Sequence, residues 1–196
     1  MSASERNKEE IRLEREKWNN WKERADLDRL VFLDETGVRT NFTPRYGWSL
    51  RGHPCRGEAP AGWKSYSIAS AIRLKGVVRS TTVEGAFKKE SFMEYMEDIL
   101  LPSLKRGDIV IMDNLSIHEN SFDKKKFKRR GIEIRYLPRY SPDQNPIELM
   151  WAKIKTIIRK ACARNGDEIW DATNESLWTV TPKNIEGWFR GCGYFH

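Results

Sequence analysis

Asp34 and Asp113 each follow four apolar residues, Leu30-Val31-Phe32-Leu33 in one case and Ile109-Val110-Ile111-Met112 in the other. A short continuous apolar run closed by turn formers reads as a buried strand. In open α/β sheets functional groups gather where strands end. Were these strands parallel neighbours, the two carboxylates would emerge side by side, repel, and raise one another's pKa. A bound cation removes that penalty, and oxygen donors of this kind suit Mg²⁺ or Mn²⁺. Each Asp also has a plain structural reading as a strand-ending turn residue, which Asp34-Glu35-Thr36-Gly37 and Asp113-Asn114 both fit. Glu35 reads as a helper to Asp34 or as part of that turn. A third carboxylate, Glu148, lies in Asn145-Pro146-Ile147-Glu148. Asn145 suits an N-cap, Pro146 the first helical position and Glu148 the third, where a capping box places a carboxylate. Capping and metal binding are compatible, because the first turn of a helix beside a sheet can still face the strand ends.

Positioning such a trio takes a sheet with helices packed on it. Tyr66 to Leu74 and Gly76 to Val83 predict two further strands joined by a hairpin at Lys75-Gly76. Lys88 to Leu104 places Phe92, Met93, Met96, Ile99, Leu100 and Leu104 at helical spacing, with Pro102 marking the stop. Ser121 to Arg130 reads as a basic amphipathic helix ending at Gly131, and Ile132 to Leu137 alternates like a strand. Pro146 opens a helix reaching Arg164, and one or two more fill Asp167 to Arg190. Strands come first and then alternate with helices, so the expected class is α/β: a mixed sheet with antiparallel first strands on hairpin-length connections and flanking helices. Residues 5–24 hold 13 charged side chains of both signs. They read as an exposed helical arm or linker over 1–26, with Trp18 and Trp21 spaced to dock one end onto a domain over 27–196.

The chain has 196 residues, 39% hydrophobic and 32% charged, a globular composition. Its net charge of +7 is modest, but the charge is clustered. Lys124, Lys125, Lys126, Lys128, Arg129 and Arg130 fall within seven residues, and Lys153, Lys155, Arg159, Lys160 and Arg164 follow Pro146. One such run alone is a solvated face; two flanking an acidic motif point to nucleic acid. No apolar run approaches the roughly 20 residues of a bilayer span, and the first twenty residues carry no signal-peptide core. Cys55, Cys162 and Cys192 are too few and scattered for a disulfide framework or zinc site. The absence of a Walker-type Gly-rich loop removes the NTPase reading.

Leu137-Pro138-Arg139-Tyr140-Ser141-Pro142-Asp143-Gln144-Asn145-Pro146-Ile147-Glu148 resembles the signature of mariner-like transposases and their bacterial insertion-sequence relatives. In that family the segment runs Leu-Pro-Pro-Tyr-Ser-Pro-x-Leu-Asn-Pro-Ile-Glu, often followed by a Trp such as Trp151. Arg139 therefore stands where the family has its second Pro, and Gln144 where it has Leu. Val31 to Gly37 is similar to the family's first-Asp motif, and Ile109 to Asn114, with His118 beyond, to its second. The 34 residues between Asp113 and Glu148 match the family's spacing.

The resemblance implies an RNase H-like fold, with Asp34, Asp113 and Glu148 as a catalytic triad holding two Mg²⁺ or Mn²⁺ ions. Glu35, Asn114, His118 and Asn145 are its auxiliary candidates. It further implies cleavage of DNA at element ends and strand transfer into target DNA at TA sites, by a homodimer, in a bacterial cytoplasm at the nucleoid. Backbone phosphates are expected to meet Lys124, Lys125, Lys126, Lys128, Arg129, Arg130, Arg139, Lys153 and Lys155. Trp63-Lys64 matches a further family motif able to touch DNA. Family members carry an N-terminal helix-turn-helix region, whereas here only the charged arm precedes Asp34. The expectation is thus a catalytic domain, with end recognition supplied by a separate polypeptide. The alternative is an inactive DNA-binding or assembly module. An RNase H-like nuclease acting on RNA or branched DNA is disfavoured, because the loop from Leu137 to Glu148 is not general to that fold.

Overall fold

The structure, a computed structural model, describes residues 8–113 and 122–195; Asn114, His118 and the expected helix start at Ser121 lie outside the described residues. Five strands form one sheet in the order β3-β2-β1-β4-β5. They are β1 (Leu30–Arg39), β2 (Ser65–Arg73), β3 (Gly76–Glu84), β4 (Ile109–Met112) and β5 (Glu133–Tyr136). β1, β2 and β3 are antiparallel, and β4 and β5 join in parallel. The mixed sheet is the one expected. The β2–β3 hairpin forms with Gly76 at φ 148°, a value that favours glycine. The β1–β2 connection is no hairpin turn: residues 40–64 make a long excursion on which Tyr46, Trp48 and Leu50 are exposed.

The turn expected over Asp34 to Gly37 does not form. β1 runs on to Arg39 because β2 pairs with it residue by residue from Phe32↔Ile72 to Arg39↔Ser65, and Val38 is buried. Successive strand residues point to opposite faces, so β1 feeds two cores. Leu30, Phe32 and Val38 enter the core beneath α4 (Pro146–Ala161), α5 (Gly166–Trp178) and α6 (Pro182–Gly191). Val31 and Leu33 enter the opposite one, under α2 (Lys89–Glu94), its π-helical continuation Tyr95–Leu100, and α3 (Lys124–Arg129). With both faces covered there, the first four residues of β1 and all of β4 are apolar on both sides, which is why their sequences show unbroken apolar runs.

Helix α4 buries Ile147, Met150, Trp151, Ile154 and Ile158, the spacing of a core-facing stripe. It ends at Cys162 in the left-handed region (φ 51°), short of the predicted Arg164. Helix α3 begins only at Lys124 because the Asp123 side chain caps it, accepting from the Lys125 N–H. The N-terminal helix α1 (Glu9–Lys22) is not simply an exposed arm, because Ile11 and Trp18 are buried. Trp18 Nε1 donates to the Tyr194 hydroxyl at 3.2 Å, joining the two ends of the described chain. Among the described residues no helix is long and apolar enough to cross a membrane.

Candidate active site

The parallel pairing of β1 with β4 decides the geometry. Its register runs Leu30↔Ile109, Val31↔Val110, Phe32↔Ile111, and two residues further along both strands sets Asp34 level with Asp113. Asp34 shares its face with Phe32, the α4 side, where Glu148 sits in the helix's first turn. The three carboxylates line one cleft of about 380 Å³, together with Arg139, Ser141 and Asn145.

Like charges so placed disturb one another. Burial pushes the Asp34 carboxyl up to about 8; Glu148 and then Asp113 add to that rise, against the Glu35 backbone N–H, which donates to Asp34 Oδ1 at 2.8 Å. Asp34 touches the cleft, yet protein surrounds most of it. The Trp151 indole N–H also faces Asp34 and favours its charged form, without a hydrogen bond of ordinary geometry. Glu148 is more exposed and is also raised, by burial and Asp113, with Lys155 opposing. Among the described residues no group of three or more His, Cys, Asp or Glu side chains is drawn together closely enough to hold a metal ion as it stands.

The capping box expected at α4 is not made. Asn145 occupies the N-cap position without a side-chain capping bond, and its Oδ1 is buried without a hydrogen-bond partner. The Glu148 carboxylate is thus left to the cleft. Glu35, one residue from Asp34, points to the opposite face, where its charge acts on the buried Tyr95.

The rest of the cleft lining comes from the loop 137–145. Tyr140 in it has φ 55°, a left-handed conformation costing about 1–3 kcal/mol in a non-glycine residue and kept only where the surroundings enforce it. Arg139 donates to Glu14 of α1 at 2.9 Å and meets Glu10 at 3.5 Å. Other predicted phosphate contacts also have protein partners. Lys153 donates to Thr179 O at 2.6 Å and Asn184 Oδ1 at 2.7 Å, tying α4 to α6. Lys126 is paired with Glu97, Arg130 donates to Leu101 O, Arg129 stands 3.9 Å from Asp123, and Lys124 lies over the Tyr136 ring. Lys125 and Lys128 are exposed on α3. Trp63 is exposed with Arg39 over its ring, and Lys64 pairs with Glu84.

Glu148, Ala152, Lys155 and Arg159 form one stripe along α4, leading from the acidic cleft into a second groove of about 530 Å³ lined by Arg45, Tyr46, Lys155, Arg159 and Lys160. Burial lowers the pKa of Lys155, with Glu148 opposing and Arg159 and Arg45 adding to the fall; burial and then Arg45 lower that of Arg159. Sequence reasoning missed Arg45, which lies more than a hundred residues from its partners in a connection with no periodic pattern.

The backbone defines a class first. It matches the Mos1 transposase paired-end complex with left transposon end at a TM-score of 0.76 and 16% identity, covering 98% of this chain and 60% of that one. It matches the crystal structure of the Mos1 catalytic domain at 0.70 and 15%, covering 98% and 89%. The fold is therefore RNase H-like, as the loop signature implied. Residues 29–169 match the family described as DDE superfamily endonuclease, and the chain belongs to that family. Among relatives, the Tcb2 transposase of Caenorhabditis briggsae is 25% identical over 178 residues, 83% of this chain and 63% of the relative. The Tc1 transposase of Caenorhabditis elegans is 25% identical over 149 residues, 76% and 52% respectively. The chain thus aligns with between half and two thirds of the length of these relatives.

Proposed function

We propose that this chain is the catalytic domain of a transposase, cutting DNA strands and joining them to target DNA at a divalent-metal site formed by Asp34, Asp113 and Glu148. The convergence of these carboxylates from β1, the end of β4 and the first turn of α4 on one cleft carries the reading. The donor set fits: three carboxylates offer the oxygen ligands that Mg²⁺ and Mn²⁺ take, and a dication would offset both the burial that chiefly raises Asp34 and the repulsion from Glu148 and Asp113 that adds to it. Two ions are proposed, Asp34 and Asp113 serving both and Glu148 completing one site. When bound, such ions lower the pKa of an attacking water or DNA 3′-hydroxyl and stabilise the leaving oxygen of an in-line displacement. Structures of the Mos1 paired-end complex with Mn and with Mg support this choice.

The chain's own residues do the positioning. β1 and β4 fix the two Asp on hydrogen-bonded backbone, and buried Trp151 and Met150 exclude water beneath them. The basic groove along α4, with Lys155, Arg159, Lys160 and Arg45, draws the phosphate backbone toward Glu148 without reading sequence. Lys125 and Lys128 extend that field on α3. The substrates proposed are element ends and TA-containing target DNA, in a bacterial cell at the nucleoid. A homodimer would pair the ends, and Tyr46, Trp48 and Leu50 offer apolar surface for such association. A separate polypeptide would supply end recognition.

The test is nicking of supercoiled plasmid by the purified chain with Mg²⁺ or Mn²⁺, beside an EDTA control and Asp113→Asn. Metal-dependent nicking by wild type alone supports the reading. DNA binding with no nicking in either favours the inactive DNA-binding module instead.

A further inference from the structure

Helix α1 presents Glu10, Glu14, Arg15, Trp18 and Asn19 on one side, at i, i+4, i+5, i+8 and i+9, and every one of them engages the cleft wall or its support. Arg15 Nη2 donates to Asp143 Oδ2 at 2.7 Å, and Nη1 to Asp143 Oδ1 at 3.1 Å and to Ser141 Oγ at 2.5 Å. The Arg15 side chain is only 14% exposed, against 43% for Asp143, so the guanidinium is the embedded partner of the pair. Glu14 and Glu10 take Arg139 from the other direction. Gln144 Nε2 donates to Asn19 Oδ1, and Trp18 donates to the Tyr194 hydroxyl, which itself donates to Gln144 O at 2.8 Å. The braced residues Arg139 and Ser141 flank the left-handed Tyr140, and Gln144 precedes Asn145 and the first turn that carries Glu148.

We propose that α1 is a brace for the acidic cleft and that Arg15 is its positioning residue, holding loop 139–145 so that the start of α4 keeps Glu148 opposed to Asp34 and Asp113. Adjacent, oppositely charged residues on the helix meet oppositely charged residues four apart on the loop, so the contact has one register. Arg139 supplies the loop's half of the pairing with Glu10 and Glu14. Its catalytic consequence rests on the metal-site reading proposed above; the brace itself does not.

The experiment compares wild type, Arg15→Ala, Asp143→Ala and the double variant, with Asp143→Asn as the milder substitution should a truncation impair folding. Three quantities are read: amide exchange across 139–145, Mn²⁺ affinity from the free-Mn²⁺ resonance signal, and affinity for a DNA duplex. The brace predicts at least tenfold faster exchange in the loop for each single variant and no further gain in the double. Exchange across α1 and duplex affinity should stay within twofold of wild type. Positioning predicts a Mn²⁺ affinity at least threefold weaker in the same variants. Unchanged loop exchange, or single effects that multiply in the double, overturns the brace. Faster loop exchange with Mn²⁺ affinity untouched overturns the positioning role. A wild type that takes up no Mn²⁺ overturns the metal-site reading, and the loop exchange then still decides the brace.

Discussion

Asp113 stands at the end of β4, carried there by pairing with β1 on one side and β5 on the other. Asp113→Asn keeps the side chain's shape and removes its charge. It should abolish metal-dependent nicking and leave the melting temperature within a few degrees of wild type, which thermal unfolding beside the plasmid assay checks. Asp34 gives a second test. Its folded pKa of about 8 lies above the value of 3.8 for a free Asp, so between those limits the folded state holds a proton that the unfolded state has released. Metal-free stability should therefore fall as pH rises from about 4 to 8, by at most about 1.4 kcal/mol per unit, and level off beyond. Melts in EDTA at pH 5 to 8 should show a shallower slope in Asp34→Asn; an identical slope would remove Asp34 as its source. Lys153 makes a contrast, since its ammonium ties α4 to α6. Lys153→Ala should lower stability while changing DNA affinity less than Lys155→Ala does in a filter-binding comparison.

Helix α4 couples core and cleft, one stripe packing on the sheet and the next carrying Glu148, Lys155 and Arg159. Ile154 is fully buried on the packing stripe, so Ile154→Ala should cost about 2–5 kcal/mol, measured by urea denaturation. Elements of this kind were legible in the sequence because burial leaves a pattern. The apolar runs of β1 and β4, the Lys75-Gly76 turn and the α4 periodicity all report local preferences that the fold keeps. The length of β1 was not legible: Asp34 to Gly37 look like a turn, and only pairing with β2, distant in sequence, holds them extended. The N-cap geometry at Asn145 was misread for a related reason, because packing of the loop overrides the local capping preference. The contacts of α1 with loop 139–145 left no local trace at all. They join residues well over a hundred positions apart, and charged side chains on a helix look the same whether they meet solvent or a partner.

For the molecule as a whole, charge would set how the proposed DNA substrate is met. The basic groove beside the acidic cleft places cations along α4 and across the 40–64 connection, while several other lysines and arginines are held in internal ion pairs. DNA affinity should therefore fall steeply with salt, with a log–log slope near −0.9 for each phosphate neutralised. Arg45→Ala, Lys155→Ala and Arg159→Ala should each reduce the slope by about one such increment, whatever the DNA sequence; fluorescence anisotropy over a salt series measures this. Catalysis asks for more than DNA binding: in the proposed site Asp34, Asp113 and Glu148 together would hold a divalent cation. Anomalous scattering from crystals of the chain soaked in Mn²⁺ tests it most directly. A Mn²⁺ peak is expected in the cleft, bonded to carboxylate oxygens of both Asp34 and Asp113 and absent from Asp113→Asn crystals. A cleft without such a peak at saturating Mn²⁺, or a peak retained in the variant, would contradict it.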